Sequence, residues 1–336
     1  MKLGFTAFGG PVAAYAMMRQ EFVTRRKWIS EDQFFDFLGV ANLVPGPNAV
    51  EMAILIGFEQ AGWLGMILAG VCYIIPAMLI VLALAWIYVQ YGHLPELAGV
   101  LYGIKPVVVG ILISAMWGMV QQRLQNLWGL VIALAAATAY LAGLSPIIIL
   151  LAGGVVMGMI QFVRSNDQSF ILLLPFLHYP KTTIQYLAQN VPFSLAQLFL
   201  VFLKAGALMV GSGYVLLAFI HEDLVIRLGW LTESQLLDAI AVGQVTPGPL
   251  TTTATFVGYI LGGVPAALLA SLAMYLPSFL FIAIVYFLVQ KMRQSKVLGN
   301  VIDGINFTAL GLMAGVTWEI AGAALVDPLT IFAAII

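Results

Sequence analysis

Apolar runs long enough to cross a lipid bilayer recur along the chain, with only short polar segments between them. They cover residues 61–89, 98–120, 127–144, 146–163 and 264–289. A helix of about 20 residues spans the hydrocarbon core of a membrane, whereas the core of a soluble domain does not accommodate repeated runs of this length. The pattern therefore predicts an all-α polytopic membrane protein.

Composition agrees with this pattern and disfavours several other classes of site. Of 336 residues, 62% are hydrophobic and 9% are charged, against about 25% charged residues in a typical soluble domain. Cys72 is the single cysteine, and His93, His178 and His221 are widely separated. We therefore expect no disulfide framework, no metal site and no cofactor. The net charge of −1 gives no reason to expect a nucleic-acid partner.

One stretch of the sequence recurs about 200 residues later. A tryptophan, an aspartate and a Pro-Gly-Pro triplet return in the same order, shifted by 202 positions: Trp28, Asp36 and 45–47 match Trp230, Asp238 and 247–249. After one dropped residue the match continues at a shift of 201, for example from Pro76 to Pro277. The repeat predicts two related halves, 1–163 and 193–336, joined by a linker at 164–192. We expect the second half to be incomplete.

The distribution of basic residues predicts that the two halves are inserted in opposite orientations. Segment 19–32 contains four Lys or Arg, whereas its counterpart 221–235 contains one. Conversely, segment 90–96 contains none, and the matching 290–298 contains three. Because Lys and Arg near the ends of spans mark the cytoplasmic side, equivalent loops of the two halves are expected on opposite sides.

Inversion also requires an odd number of crossings between equivalent points of the two halves. A span at 3–18 and four later spans give this number only if residues 33–59 enter and leave on one side. The Pro-Gly-Pro triplet lies in the middle of that stretch and stops a helix there. We therefore expect a re-entrant hairpin of two half-helices. Inverted repeats with broken helices are typical of secondary transporters, whose sites lie near the membrane midplane.

The residues around both triplets are candidates for binding an oxyanion. Each triplet is followed by the start of a half-helix, where free N–H groups and the positive end of the helix dipole favour an anion. Glycine clusters in both halves allow a close approach of backbone to a ligand. The alternatives are that the triplets only kink packed helices and that the glycines serve helix packing. The candidates are Gly9, Gly10, Pro11, Pro45, Gly46, Pro47, Asn48, Gly211, Ser212, Gly213, Gln244, Thr246, Pro247, Gly248, Pro249, Thr251 and Thr252.

Three charged residues in apolar surroundings are further candidates. Lys204 lies inside the apolar stretch 195–220 and Lys105 inside 98–120. A buried lysine requires a partner or a ligand, and a dianion is one such ligand; snorkelling of the side chain to the interface is the alternative. Glu51, one turn into the first half-helix, is a candidate for carrying a coupled proton.

At these positions the chain resembles the chromate ion transporter family. The resemblance rests on 8–11 (Phe-Gly-Gly-Pro), 26–28 (Arg-Lys-Trp) and both Pro-Gly-Pro triplets, with Gly-Trp-Leu-Thr at 229–232. It covers nearly the whole chain. The sequence departs from the family pattern at 13–15 (Ala-Ala-Tyr), where an Ala-His pair is common, and at Ser212, where a third glycine is expected. The resemblance implies export of chromate across a bacterial plasma membrane, which gives chromate resistance.

We therefore expect a secondary transporter rather than an enzyme. Its expected partners are chromate or a sulfate-like oxyanion, protons, the lipid bilayer and a second copy of the chain in a homodimer. The first alternative is a transporter of sulfate or another small anion on the same fold. The second is a membrane-embedded enzyme, which would require a cluster of His, Asp or Glu at one membrane face that the sequence does not display.

Overall fold

The computed structural model describes residues 2–7, 10–42, 44–92, 95–121, 127–165, 192–209, 213, 215–286 and 296–335, and within these ranges it contains helices and no strand. Two π-helical turns, Arg19–Arg25 and His221–Arg227, extend α2 and α9, and a 3-10 turn, Leu250–Thr252, precedes α11. In chain order the helices are α1 (Lys2–Thr6), α2 (Gly10–Met18), α3 (Glu31–Ala41), α4 (Asn48–Tyr91), α5 (Pro95–Gln121), α6 (Leu127–Leu141), α7 (Pro146–Ser165), α8 (Leu195–Leu208), α9 (Val215–Ile220), α10 (Glu233–Val245), α11 (Thr253–Val285), α12 (Lys296–Ala324) and α13 (Pro328–Ile335).

Long apolar helices form the frame of the molecule. In the described part of the chain, four segments are long and apolar enough to cross a membrane: Asn48–Tyr91, Tyr102–Gln121, Leu250–Val285 and Val301–Ala324. Large apolar side chains on the outside, such as Leu134 and Trp318, are 69% and 75% exposed. Such a surface suits lipid rather than water. The prediction of an all-α polytopic membrane protein is confirmed.

The helix in the predicted span at 3–18 is interrupted. α1 ends at Thr6, and α2 begins at Gly10. In an unbroken helix the Ala7 carbonyl would accept a hydrogen bond from residue 11, which is a proline and has no N–H to donate. The apolar stretch 195–220 is interrupted in the same place of the second half, between α8 and α9.

α4 and α11 each contain a sharp reversal of the chain. Gly62 (φ 57°) and Gly263 (φ 69°) take the left-handed backbone conformation that glycine adopts without a steric penalty. A Cβ atom added at Gly57 would touch Ala69, although the two residues would be about 18 Å apart along a straight helix. Both helices are therefore helical hairpins. Their arms are residues 48–60 and 63–91 in α4, and 253–261 and 264–285 in α11.

The two ends of the predicted re-entrant stretch 33–59 lie side by side. The Gln33 amide donates to the Glu59 carboxylate (3.4 Å), and the Gln60 amide donates to the Trp28 carbonyl (2.8 Å). The start of α3 and the end of the first arm of α4 therefore lie at the same end of the bundle. This is the arrangement that the sequence predicts, with the chain break at 45–47 in the middle.

Several local structures occur twice, 202 positions apart. A capping box begins α3, formed by Ser30 and Gln33, and another begins α10, formed by Thr232 and Gln235. In such a box two orphan N–H groups at the helix start are satisfied reciprocally. The π-helical turns that precede these boxes are also equivalent in position. The division into halves at 163 and 193 and their opposite insertion stay predictions, and residues 166–191 of the linker lie outside the described ranges.

Candidate functional site

Both Pro-Gly-Pro triplets end one helix and start the next. Pro47 and Pro249 have extended backbone angles (φ −77°, ψ 94° and φ −74°, ψ 138°) directly before a helical segment. Gly46 and Gly248 have φ angles of 145° and 104°, which residues with a side chain rarely adopt. The prolines remove backbone donors and the glycines turn the chain. We name residues 45–47 the first break and 247–249 the second break.

The two breaks are held by an exchange of backbone hydrogen bonds. The Gly46 N–H donates to the Met209 carbonyl (2.6 Å), and the Gly248 N–H donates to the Ala7 carbonyl (2.9 Å). Ala7 and Met209 follow α1 and α8, where the first helix of each half is interrupted. Each break therefore rests on the interrupted helix of the other half. The exchange also satisfies polar backbone groups that lipid would leave unpaired.

Each break also contacts the hairpin of the opposite half. A Cβ atom on Gly46 would collide with the Ser278 hydroxyl in α11, and one on Gly248 would collide with Ala77 in α4. Ser278 and Ala77 are equivalent positions, 201 residues apart. The absence of a side chain at the two glycines is therefore required for the breaks to meet the opposite hairpins.

A group of buried polar side chains surrounds the first break, and we name it the Glu51 cluster. Glu51 is completely buried in the first turn of α4. Its carboxylate and the Ser278 hydroxyl both face Gly46. The Tyr15 hydroxyl lies near Asn48, Glu51 and Tyr73. The sequence predicts roles for Glu51 and Asn48 but not for the three hydroxyl residues. Two signals were available: Tyr15 belongs to segment 13–15, which departs from the family pattern, and Ser278 follows the repeated proline Pro277.

The second break contributes threonines, most of which bond to nearby backbone. The hydroxyls of Thr246, Thr252 and Thr253 donate to carbonyls three or four residues earlier, at 2.7–3.0 Å. Thr251 instead donates to the buried Tyr275 hydroxyl (2.9 Å). The Gln244 side-chain nitrogen is buried without a hydrogen bond to the described residues. Of the polar candidates here, Thr251 and Gln244 are thus the ones whose side chains are not committed to the local backbone.

Buried tyrosines lie between the two breaks. Tyr275, the partner of Thr251, lies near Tyr73, and Tyr73 lies near Tyr15 in the Glu51 cluster. Tyr73 and Tyr275 are 3% and 4% exposed. The region between the starts of the two half-helices therefore contains several phenol groups.

The glycine clusters fall partly outside the described residues, namely Gly9, Gly211 and Ser212. Gly10 and Pro11 form the start of α2. A Cβ atom on Gly213 would lie 3.9 Å from the side chain of Leu250, directly after the second break. The part of the second cluster that is described therefore lies beside the second break.

Lys204 has a carboxylate partner inside the protein. Its ammonium group pairs with Asp223, which also receives Arg227 at 3.0 Å. Asp223 is 2% exposed, and the lysine side chain is about one-third exposed. A lysine at this depth needs a partner, and Asp223 supplies it without any ligand. Its predicted role in binding an anion stays a prediction.

Lys105 is also paired, and it lies at a cavity. Its ammonium group is 3.1 Å from an Asp238 carboxylate oxygen and 2.6 Å from the Ser234 hydroxyl. Tyr88 donates to the other Asp238 oxygen (2.9 Å). These four residues line a cavity of about 400 Å³ together with Tyr102 and the end of α12. The pair joins α5 of the first half to α10 of the second.

A second cavity of about 380 Å³ lies beside the first hairpin. Lys2, Glu21, Arg26 and Tyr73 line it, with small residues of both arms of α4. The Arg26 guanidinium, 2.6 Å from Glu21, holds the pKa of that carboxyl below its usual value. Through Tyr73 the cavity adjoins the Glu51 cluster.

A buried histidine network forms a site that the sequence does not reveal. His221, 1% exposed, contacts the Glu233 carboxylate (2.7 Å), the Tyr140 hydroxyl (2.7 Å) and the Glu319 carboxylate (3.3 Å). These partners come from α10, α6 and α12. Burial, and then the charge of Asp223, raise the pKa of the adjacent Glu222. The four residues are far apart in sequence, so spacing gave no indication that they meet.

Comparison with known proteins identifies the family of this chain. A family model described as "Chromate transporter" matches residues 1–159 and 196–336. The chain belongs to the chromate transporter family. Since this is a family of transporters and the chain contains several apolar helices, the protein is a multi-pass membrane protein. The resemblance drawn from the sequence motifs is confirmed.

Full-length relatives within the chromate transporter family share about a third of their residues with this chain. A chromate transport protein of Cupriavidus metallidurans is 31% identical, over 97% of this chain and 82% of the relative. One of Pseudomonas aeruginosa is 32% identical, over 96% and 79%. A probable chromate transport protein of Synechococcus elongatus is 31% identical, over 94% and 81%. No solved structure shows a significant match to the chain.

Proposed function

We propose that this chromate transporter family member is a secondary transporter that exports chromate across the bacterial plasma membrane and so gives chromate resistance. The observation that carries the proposal is the exchange of hydrogen bonds by Gly46 and Gly248, each to the opposite half. Two halves related by a two-fold axis in the membrane would make such reciprocal contacts. In transporters of this build the broken helices meet at the substrate site.

The half-helices that follow the breaks would supply the anion site. They begin at Asn48 and Leu250, where N–H groups free of intrahelical partners and the positive dipole end favour an oxyanion. The Gln244 amide, whose nitrogen is buried without a hydrogen bond to the described residues, is a further donor near the second break. Alternating access would then consist of a movement of one half against the other around this site.

The membrane potential favours export of a dianion over its uptake. Moving one charge through 100 mV is worth about 2.3 kcal/mol. A doubly charged chromate ion that leaves an inside-negative cell therefore gains about 4.6 kcal/mol per 100 mV. Import of the same ion would require several co-transported cations. The direction of transport is thus supported by the charge of the substrate.

Chromate transport itself is tested by comparing cells with and without this protein. We expect cells that contain it to accumulate less chromate and to grow at higher chromate concentrations. Transport of labelled sulfate and its competition with chromate decide between the two oxyanions. Equal chromate accumulation in both strains would refute the chromate assignment, and sulfate transport without chromate competition would establish the alternative.

Glu51 is proposed to couple transport to a proton. A buried carboxylate at the start of the half-helix repels a dianion unless it is neutralised, and a proton neutralises it. We expect Glu51→Gln to abolish the dependence of chromate exchange on a pH gradient in proteoliposomes. Glu59→Gln is the matched control, because Glu59 bonds to the Tyr286 hydroxyl and lies outside the Glu51 cluster. Full pH dependence in Glu51→Gln would rule out this role.

The role of Lys204 is tested by removing its partner as well. Lys204→Ala is expected to lower the free energy of unfolding by about 1.5–3 kcal/mol, with the lower value favoured because Arg227 still contacts Asp223. If the lysine serves Asp223 alone, Lys204→Ala/Asp223→Asn restores both stability and chromate exchange. If the lysine binds the anion, the double variant regains stability but not exchange. Detergent unfolding and proteoliposome exchange measure the two quantities.

A further inference from the structure

The Glu51 cluster brings several buried oxygen atoms together around a single carboxylate. Both carboxylate oxygens of Glu51, Oδ1 of Asn48 and the hydroxyls of Tyr15, Tyr73 and Ser278 are buried without a well-aligned hydrogen bond to the described residues. Ser278 nevertheless lies beside Glu51, and Tyr15 lies beside Asn48. Glu51 and Ser278 are fully buried, and Asn48 is 8% exposed. Buried polar atoms without partners are rare and indicate a missing ligand or water.

Two of these oxygen groups meet at Gly46. Gly46 has no side chain, so the Glu51 carboxylate in α4 and the Ser278 hydroxyl in α11 approach each other beside it. The Asn48 amide nitrogen donates to Asn42 (2.7 Å), so the Asn48 oxygen is the atom of this side chain that can face a ligand. The Tyr15 hydroxyl, from α2, completes the group beside Asn48 and Glu51.

The charge of the cluster matches a monovalent ion. Glu51 is its single carboxylate, and within the described residues no Lys, Arg or His side chain pairs with it. An ionised carboxylate buried without a counter-charge is strongly unfavourable. A proton on Glu51 removes the charge but binds a single oxygen atom. A small hard cation binds several oxygen ligands at once and also neutralises the site.

We propose that the Glu51 cluster is a binding site for a small monovalent metal cation, Na⁺, held by Glu51, Asn48, Ser278 and Tyr15. The ion would bridge the two halves, because Ser278 belongs to α11 and the other ligands to the first half. Its role in driving chromate transport rests on the proposed function, whereas its binding does not. Na⁺ and a proton compete for the Glu51 carboxylate, so that only one of them binds at a time. Tyr15 and Tyr73 are the other titratable groups that face this carboxylate.

The test is thermal unfolding of the purified full-length protein in detergent, without chromate, as NaCl replaces choline chloride at constant ionic strength. We expect a saturable rise of several degrees in the unfolding midpoint with Na⁺, because a ligand that binds only the folded state stabilises it. Glu51→Gln is expected to abolish the rise, and Glu59→Gln to retain it. Equal midpoints in Na⁺ and choline, or an unchanged Na⁺ response in Glu51→Gln, would overturn the proposal.

Ser278→Ala keeps the proposal testable if Glu51→Gln does not fold. The equivalent position of the first half is Ala77, packed against Gly248, so alanine suits this environment. Ser278→Ala is expected to raise the Na⁺ concentration at half-maximal stabilisation by about 10-fold, since one ligand is lost. An unchanged half-maximal concentration would show that Ser278 is not a ligand of the ion and that the ion does not bridge the two halves.

Chromate exchange by the same preparations separates this inference from the proposed function. Chromate exchange combined with no Na⁺ stabilisation refutes the cation site and leaves the transporter assignment intact. Na⁺ stabilisation without chromate exchange supports the cation site and refutes the chromate assignment.

Discussion

Gly46→Ala is expected to destabilise the protein and to abolish chromate exchange. At φ 145° an alanine is held in a sparsely populated conformation, which costs about 1–3 kcal/mol. Its Cβ atom would also collide with the Glu51 carboxylate and the Ser278 hydroxyl, and over-packing of this kind adds about 1–3 kcal/mol. Because the collision separates α11 from the first break, the anion site and the cation site are both disrupted. Exchange in proteoliposomes and the detergent-unfolding midpoint measure the two effects.

The matched control separates the collision from the backbone strain. Gly62 also has a positive φ, but a Cβ atom there would meet no atom within 4 Å. Gly62→Ala is therefore expected to lose stability through strain alone and to retain measurable exchange. Gly46→Ala with wild-type exchange would show that the first break does not meet α11 during transport.

His221→Ala is expected to lower the free energy of unfolding by about 3 kcal/mol. Removal of one partner from a buried charged group costs about 3–5 kcal/mol, and the lower end applies because the Glu233 and Glu319 side chains are about one-third exposed. Nε2 of the histidine faces Glu233, and Nδ1 faces both the Tyr140 hydroxyl and Glu319. The histidine thus holds α6, α10 and α12 together. Unfolding in detergent at neutral pH measures the loss.

A second substitution tests whether repulsion between carboxylates causes this loss. Glu319→Gln in the His221→Ala background is expected to recover about 1 kcal/mol or more, because one of two facing charges is removed. Glu319→Gln alone, in which the histidine is intact, should be destabilising. A double variant no more stable than His221→Ala would show that lost packing, rather than charge, is the cause.

The sequence was sufficient to predict the elements whose causes are local. Apolar runs predicted the membrane-crossing helices, and the Pro-Gly-Pro triplets predicted the breaks because proline has no N–H and glycine tolerates a positive φ. The prediction that 33–59 begins and ends at one side agrees with the contact of Gln33 with Glu59. This prediction followed from the requirement for an odd number of membrane crossings between equivalent points of the two halves. Counting crossings needs no knowledge of packing.

Features that depend on contacts between distant residues were not predictable in this way. The interruption at Ala7 has a local signal in Pro11, but its purpose lies in the bond to Gly248, 241 positions later. Ser278 and Tyr73 look like ordinary polar residues of apolar helices until α4 and α11 pack together.

The charged residues show the same limit. The sequence places Lys204 and Lys105 in apolar stretches, and such residues need partners. It does not specify whether the partner is a ligand or a carboxylate of the protein. Asp223 and Asp238, which fill that role here, lie 19 and 133 positions away. Only tertiary packing reveals them.

The exchanged bonds of Gly46 and Gly248 make the two halves depend on each other for assembly. If either half were synthesised alone, its break would have an amide with no acceptor in the hydrocarbon, a loss of several kcal/mol. A chain cut within 166–191 should therefore yield fragments that persist in the membrane only when they are produced together. An ancestor of half this length would have needed a second copy of itself from the outset.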